Sequence, residues 1–150
     1  MIRVGIVGHI GSGKSYVAKK FGYPVFNADD EVKNLYKKNK YCFKKLNKFF
    51  PNYITSFPVK KNEVIATILK KKNSLKKIVK IIHPMVKHRM NNFIRKNKNR
   101  KIIILDIPLL LENKIENKKD IIVFVKSEKS KIIKKLKKRK NFNPLLIKKF

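Results

Sequence analysis

Residues Gly8 to Ser15 read Gly-His-Ile-Gly-Ser-Gly-Lys-Ser: a glycine, four residues, then Gly-Lys-Ser, the spacing of a phosphate-binding loop. The flanks constrain the fold as much as the loop does. Ile2 to Val7 is a short apolar run rich in β-branched residues, as a strand requires, and Tyr16 to Phe21 can continue as a helix. Strand, loop and helix in that order set a cage of backbone N–H groups where the helix dipole adds about half a positive charge. The loop glycines permit backbone conformations and close approaches that a Cβ forbids. A chain so arranged is fitted to hold a nucleotide polyphosphate, with His9, Ile10, Gly11, Ser12, Gly13, Lys14, Ser15 and Tyr16 as the binding segment. Lys14 is expected to reach the β- and γ-phosphates, and Ser15 to offer its hydroxyl to Mg2+, a cation that takes oxygen ligands.

Further along, Tyr23 to Asn27 reads as a second short strand with Asp29 just beyond its end. Lys101 to Leu105 and Asp120 to Val125 are the next strand candidates. Asp106 follows the first of these, where a parallel strand would deliver it to the ligand edge of an α/β sheet. From Asp30 to Asn97 apolar residues recur at helical spacing: Leu75, Ile78, Val79 and Ile82, then Val86, Met90, Phe93 and Ile94. Pro84 lies between those groups, so one helix is expected to end or kink near His83 and another to begin. His83 is accordingly given a structural place beside that break and no catalytic part. Ser127 is a candidate N-cap for a helix running to Arg139.

A chain of 150 residues with 43% apolar side chains suits one domain. The single cysteine, Cys42, excludes an intramolecular disulfide framework and fits a reducing cytoplasm. Neither an export signal nor a stretch of about 18 apolar residues is visible, so no membrane partner is expected. Forty Lys and Arg against nine Asp and Glu give a net charge of +31, which attracts any polyanion. Lysine greatly outnumbers arginine, and Asn and Ile are also abundant, a bias of AT-rich coding. Such a surface suits diffuse, non-specific attraction to nucleic acid, because arginine is the residue for bidentate phosphate and base contacts. Against that background Asp29, Asp30 and Glu31 stand together; they could serve a ligand, or favour a helix N-terminus by about 0.3–1 kcal/mol each.

Gly8 to Ser15, Asp29 after the second strand, His83-Pro84 in the helical stretch, and Asp106-Ile107-Pro108-Leu109-Leu110-Leu111-Glu112 together resemble the dephospho-CoA kinase family. The resemblance runs over residues 1 to about 140. It implies an α/β chain of the P-loop NTPase fold, a parallel sheet flanked by helices. The core would be 1–29 and 100–136, a helical CoA-binding insertion about 30–99, and a lid about 137–150. It implies transfer of the ATP γ-phosphoryl group to the ribose 3′-hydroxyl of dephospho-CoA. Lys14, Asp29 and Arg139 would be the catalytic residues, with Asp29 at the acceptor hydroxyl and Arg139 closing over the phosphoryl group. Ser15 and Asp106 would hold Mg2+, and the enzyme would be a monomer. This chain departs from the family at Tyr16, at Asn27 where the family often has Asp, and at Lys135 where it often has Arg. Family members also continue for several tens of residues further, so a truncated product, a fragment or a reduced version is expected. The other readings are a nucleoside-monophosphate type kinase, and a nucleotide-binding or basic RNA-binding remnant without activity.

Overall fold

The computed structural model of the chain describes residues 1–9, 11–107 and 120–128. In order they form β1 (Ile2–Val7), α1 (Lys14–Lys20), β2 (Val25–Asn27), α2 (Ala28–Lys38), α3 (Lys40–Phe49), α4 (Lys61–Lys70), α5 (Ser74–Lys96), β3 (Ile102–Asp106) and β4 (Ile121–Phe124). Two compact units result. One comprises Met1–Asp29 with the described residues from Met90 onward, and the other Asp30–Arg89.

The first unit is built on a four-stranded sheet in the order β2-β3-β1-β4, with every pair parallel. Parallel strands covered on both faces read as continuous apolar runs, which is why Ile2 to Val7 and the Ile-rich run before Asp106 become the central pair. Val4, Ile6, Ile103, Ile104 and Leu105 are buried there, and Ala18 of α1 packs on Val4, Ile6 and Ile104. The register brings strand ends together: Asp106 lies opposite Ile6 on one side and Asn27 on the other. At the opposite end, Arg3 Nη2 donates to Asp120 Oδ2 at 2.7 Å, tying the start of β4 to β1. Strand β2 is shorter than the Tyr23 to Asn27 run. Pro24 has no N–H for the ladder, yet its carbonyl still accepts from Ile104 N at 2.9 Å.

The second unit is helical and encloses Leu35, Cys42, Leu46, Phe50, Ile54, Val64, Ile68, Ile78 and Ile82. Local capping fixes its corners. Asn39 Oδ1 accepts from Cys42 N at 2.8 Å at the start of α3. Glu63, in the first turn of α4, gathers the preceding loop: its Oε1 accepts from the hydroxyls of Thr55 at 3.1 Å and Ser56 at 2.8 Å. It also accepts from Ser56 N at 3.1 Å.

Of the expected end or kink near His83, the end is corrected: α5 runs from Ser74 to Lys96 with Pro84 inside it. A proline in a helix interior costs about 3 kcal/mol. Burial offsets it, because the core draws in Ile78 and Ile82 from before the proline, at about 1.5–3 kcal/mol for each fully buried side chain, and partly buried Met85 and Val86 from after it. His83 is therefore mid-helix and exposed, with no break for it to support.

Candidate active site

The sheet's carboxyl edge gathers the candidate residues. As the chain leaves β1 it passes close to the end of β4, where Val125 N donates to Val7 O at 2.8 Å. Gly8 has φ 148° here, and a Cβ on it would lie 2.6 Å from Val125 O. The loop then turns: Ser12 N donates to His9 O at 3.1 Å, and Gly13, at φ 96°, opens α1 by accepting from Tyr16 N and Val17 N at 3.0 and 3.1 Å. Lys14 bends back over this loop. Its Nζ donates to Gly8 O at 2.8 Å and His9 O at 2.9 Å, so the ammonium rests where the loop's backbone converges. Ser12 Oγ is buried there without a hydrogen-bond partner among the described residues, a polar group to which a ligand oxygen would be welcome.

Beside the loop, Asn27 Nδ2 donates to Asp106 Oδ2 at 2.7 Å and lies 3.3 Å from Ser15 Oγ. Asp106 is 3% exposed, so its carboxylate is held at the strand end rather than free to sweep solvent. A serine hydroxyl and a carboxylate gathered by one amide form a hard oxygen donor set that fits Mg2+. Among the described residues no cluster of three or more His, Cys, Asp or Glu could hold a metal ion. Mg2+ does not need one, since it keeps waters and takes phosphate oxygens.

The three adjacent acids separate in role. Asp30 pairs with Lys33 at 2.7 Å and Glu31 with Arg89 at 2.6 Å. Asp29 sits exposed in the first turn of α2, and no hydrogen bond or ion pair engages its carboxylate within the described structure. Of the other expected binding residues, His9 is exposed and meets Phe124 edge-on with ring centroids 6.0 Å apart. Tyr16 is 68% exposed, with the Lys20 ammonium 5.6 Å from its ring. Gly11 has φ 83° within the loop. Ile10, Arg139 and the Pro108 to Glu112 stretch lie outside the described residues. The sequence reading noted Asn27 as a departure from the family's common Asp and gave it no role. Its signals were that departure and its place at the end of a strand, two residues before Asp29.

Within the second unit, an open groove of about 790 Å3 is floored by Leu35, Phe49, Ile81, Pro84 and Met85 and edged by Lys45, Lys48, Lys77, Lys80 and Arg89. Lys45 lies 4.9 Å from the ring centre of Tyr41 and Lys77 5.9 Å from that of Phe49, so two of its cations stand over aromatic faces. Cys42 is not part of this surface. Burial pushes its thiol up to about 11, against the opposing influence of Arg89, and leaves it unreactive.

A phosphate-binding loop on a central strand of an all-parallel sheet, with a carboxylate at the neighbouring strand end, places the chain among the P-loop NTPases. The model of the dephospho-CoA kinase family matches residues 2–149. A dephospho-CoA kinase of Wolbachia sp. subsp. Brugia malayi is 33% identical over 141 residues, 91% of this chain and 72% of that protein. That of Zymomonas mobilis is 34% identical over 128 residues, 83% of this chain and 65% of the relative. The chain thus spans 65% to 72% of the length of these two relatives. Among solved structures, a Thermus thermophilus protein matches with a TM-score of 0.75 at 24% identity, over 99% of this chain and 77% of that one. A dephospho-CoA kinase from Campylobacter jejuni matches with a TM-score of 0.57 at 20% identity, over 98% and 76%. These two are likenesses of fold. The chain belongs to the dephospho-CoA kinase family, and by that membership it is an ATP-dependent phosphotransferase.

Proposed function

We propose that this chain moves the γ-phosphoryl group of ATP to the ribose 3′-hydroxyl of dephospho-CoA, with Ser15 and Asp106 as its Mg2+ side chains and Asp29 at the acceptor. The observation that carries the reading is the convergence of Lys14, Ser15 and the Asn27-held Asp106 at one strand edge. Phosphoryl transfer demands alignment and charge neutralisation more than covalent help, and these groups supply both. Lys14 exchanges the carbonyls of Gly8 and His9 for the β- and γ-phosphate oxygens. Ser15 and Asp106 would hold Mg2+, which would supply neutralisation of the charge on the phosphates. Asp29, unengaged among the described residues, takes the proton of the 3′-hydroxyl as that oxygen attacks the γ-phosphorus. The bond from phosphorus to the β-bridging oxygen breaks, and ADP departs with its electron pair.

Taken by itself, the groove of the second unit has chemistry that suits part of dephospho-CoA. Leu35, Ile81 and Met85 offer an apolar floor for a pantetheine arm, and the lysines at its edge attract a diphosphate. The buried thiol of Cys42 is compatible with a reducing cytoplasm, and we place the reaction there, in a monomer whose attraction to nucleic acid is non-specific. Arg139 remains the proposed cation of the lid.

The test is magnesium- and ATP-dependent formation of CoA by the purified chain, with other nucleoside and nucleotide acceptors run alongside. Lys14→Ala is expected to lower turnover by about 10²-fold or more. Asp29→Asn is expected to lose about 10²–10⁴-fold in kcat while ATP affinity is kept. Unchanged turnover in Asp29→Asn removes that residue from the mechanism, and preference for another acceptor overturns the assignment of substrate.

A further inference from the structure

Asn27 is set by register, not by the phosphate loop. It ends β2 directly opposite Asp106 at the end of β3, and its Nδ2 reaches both Asp106 Oδ2 at 2.7 Å and Ser15 Oγ at 3.3 Å. The two oxygens come from segments far apart in sequence, and this amide is the group common to both. We propose that Asn27 is the positioning residue of the metal–nucleotide complex: a neutral clamp that aims the Ser15 and Asp106 oxygens and keeps a second negative charge away from them. The inference rests on the phosphotransfer reading and deepens it.

Two physical consequences follow. The first concerns orientation. A carboxylate whose second neighbour is fixed by a hydrogen bond loses little freedom when a cation arrives, and removing such outer partners typically costs about 10–100-fold in metal affinity. The second concerns charge. Asp106 beside a neutral amide presents one negative charge, too little to hold Mg2+ without phosphate oxygens, so metal and nucleotide bind as a pair. A carboxylate at position 27 would stand against Asp106, and two like charges at that distance repel until a proton or a cation joins them.

The experiment measures ATP affinity by calorimetry with and without Mg2+, and melting by circular dichroism with and without Mg2+ in the absence of nucleotide. Wild type, Asn27→Ala, Asn27→Asp and Lys14→Ala are compared. Asn27→Ala is expected to raise the Mg2+ concentration that half-saturates the ATP-bound chain by about 10–100-fold, with metal-free ATP affinity within about twofold of wild type. Asn27→Asp is expected to gain a Mg2+-dependent rise in melting temperature without nucleotide, which wild type lacks. A purely structural role would not move either readout selectively. If wild type binds ATP and couples it to Mg2+ but both variants match wild type, the Asn27 assignment fails alone. If wild type binds no ATP, or Lys14→Ala leaves binding unchanged, the phosphotransfer reading fails and carries this proposal with it.

Discussion

Gly8 and Gly13 belong to one loop and both have positive φ, yet an added methyl group meets different surroundings at each. At Gly13, with φ 96°, nothing lies within 4 Å of a built Cβ. Gly13→Ala therefore carries backbone strain alone, about 1–2 kcal/mol. At Gly8, with φ 148°, the Cβ would stand 2.6 Å from Val125 O and 3.0 Å from Ser12 Oγ. Ser12 could rotate away, but Val125 O is backbone, anchored by the bond from Val125 N to Val7 O at 2.8 Å. Gly8→Ala adds an overpacking cost of about 1–3 kcal/mol to strain of about 1–3 kcal/mol, so roughly 2–6 kcal/mol in all. Relief requires the loop to retreat from β4. The Gly8 carbonyl that accepts from Lys14 Nζ moves with it, and a misplacement of about 1 Å can cost about 10²-fold in rate.

Urea unfolding followed by far-UV circular dichroism gives the stabilities; the chain has no Trp, so fluorescence would rest on its tyrosines. Because both substitutions fall in the same unit, their difference is the informative quantity. Gly8→Ala should be the less stable by about 1–3 kcal/mol at equal m-value, with ATP affinity reduced as well. The reasoning is refuted if Gly13→Ala proves equally or more destabilising, since contact with Val125 would then not be what excludes a side chain from position 8.

Arg89→Ala removes a cation from the groove edge and should raise the KM for dephospho-CoA about tenfold in initial-rate assays, leaving the KM for ATP unchanged. Its lost pair with Glu31 is partly exposed and should cost at most about 1 kcal/mol. For Glu63, burial favours the neutral acid, but hydrogen bonds from Ser56, Thr55 and Lys60 prevail and hold the carboxyl below its ordinary value. Its folded pKa being the lower one, its contribution to stability is complete above the unfolded value of about 4.3 and fades as pH falls through the folded value. Glu63→Gln should therefore be destabilised relative to wild type at pH 7, and the gap should narrow below about pH 4 in urea melts run across pH.

The parts of this fold that sequence pattern reveals are those whose cause is local. Ile2 to Val7 becomes β1 because a strand buried on both faces must be apolar throughout, and the loop after it carries its geometry in its glycines. Pro84 misleads for the converse reason: the local penalty is real, but Ile78, Ile82, Met85 and Val86 are committed to one core from both sides of it. Asn27 was illegible because its meaning depends on β2 and β3 being neighbours, 79 residues apart in sequence. The loop gathered by Glu63 was equally hidden, since nothing in the pattern of Thr55, Ser56 and Glu63 announces that they turn toward one another.

Charge gives Asp29 its standing. In a chain with 40 Lys and Arg against nine acids, a carboxylate has cations available on most sides, and pairing is the expected fate. The described acids follow that expectation or find polar donors: Asp30 with Lys33, Glu31 with Arg89, Asp120 with Arg3, Asp106 with Asn27, and Glu63 with its loop. Asp29 stands apart from them, adjacent to two acids that have partners, in the first turn of a helix that leaves the sheet's carboxyl edge. A carboxylate spent on a lysine would have to break that pair before accepting a proton, and the cation would have lowered its basicity meanwhile. In the proposed reaction, an acid that no described residue engages gives an incoming hydroxyl an acceptor already in place, which is the condition under which general base catalysis is worth its factor of about 10²–10⁴.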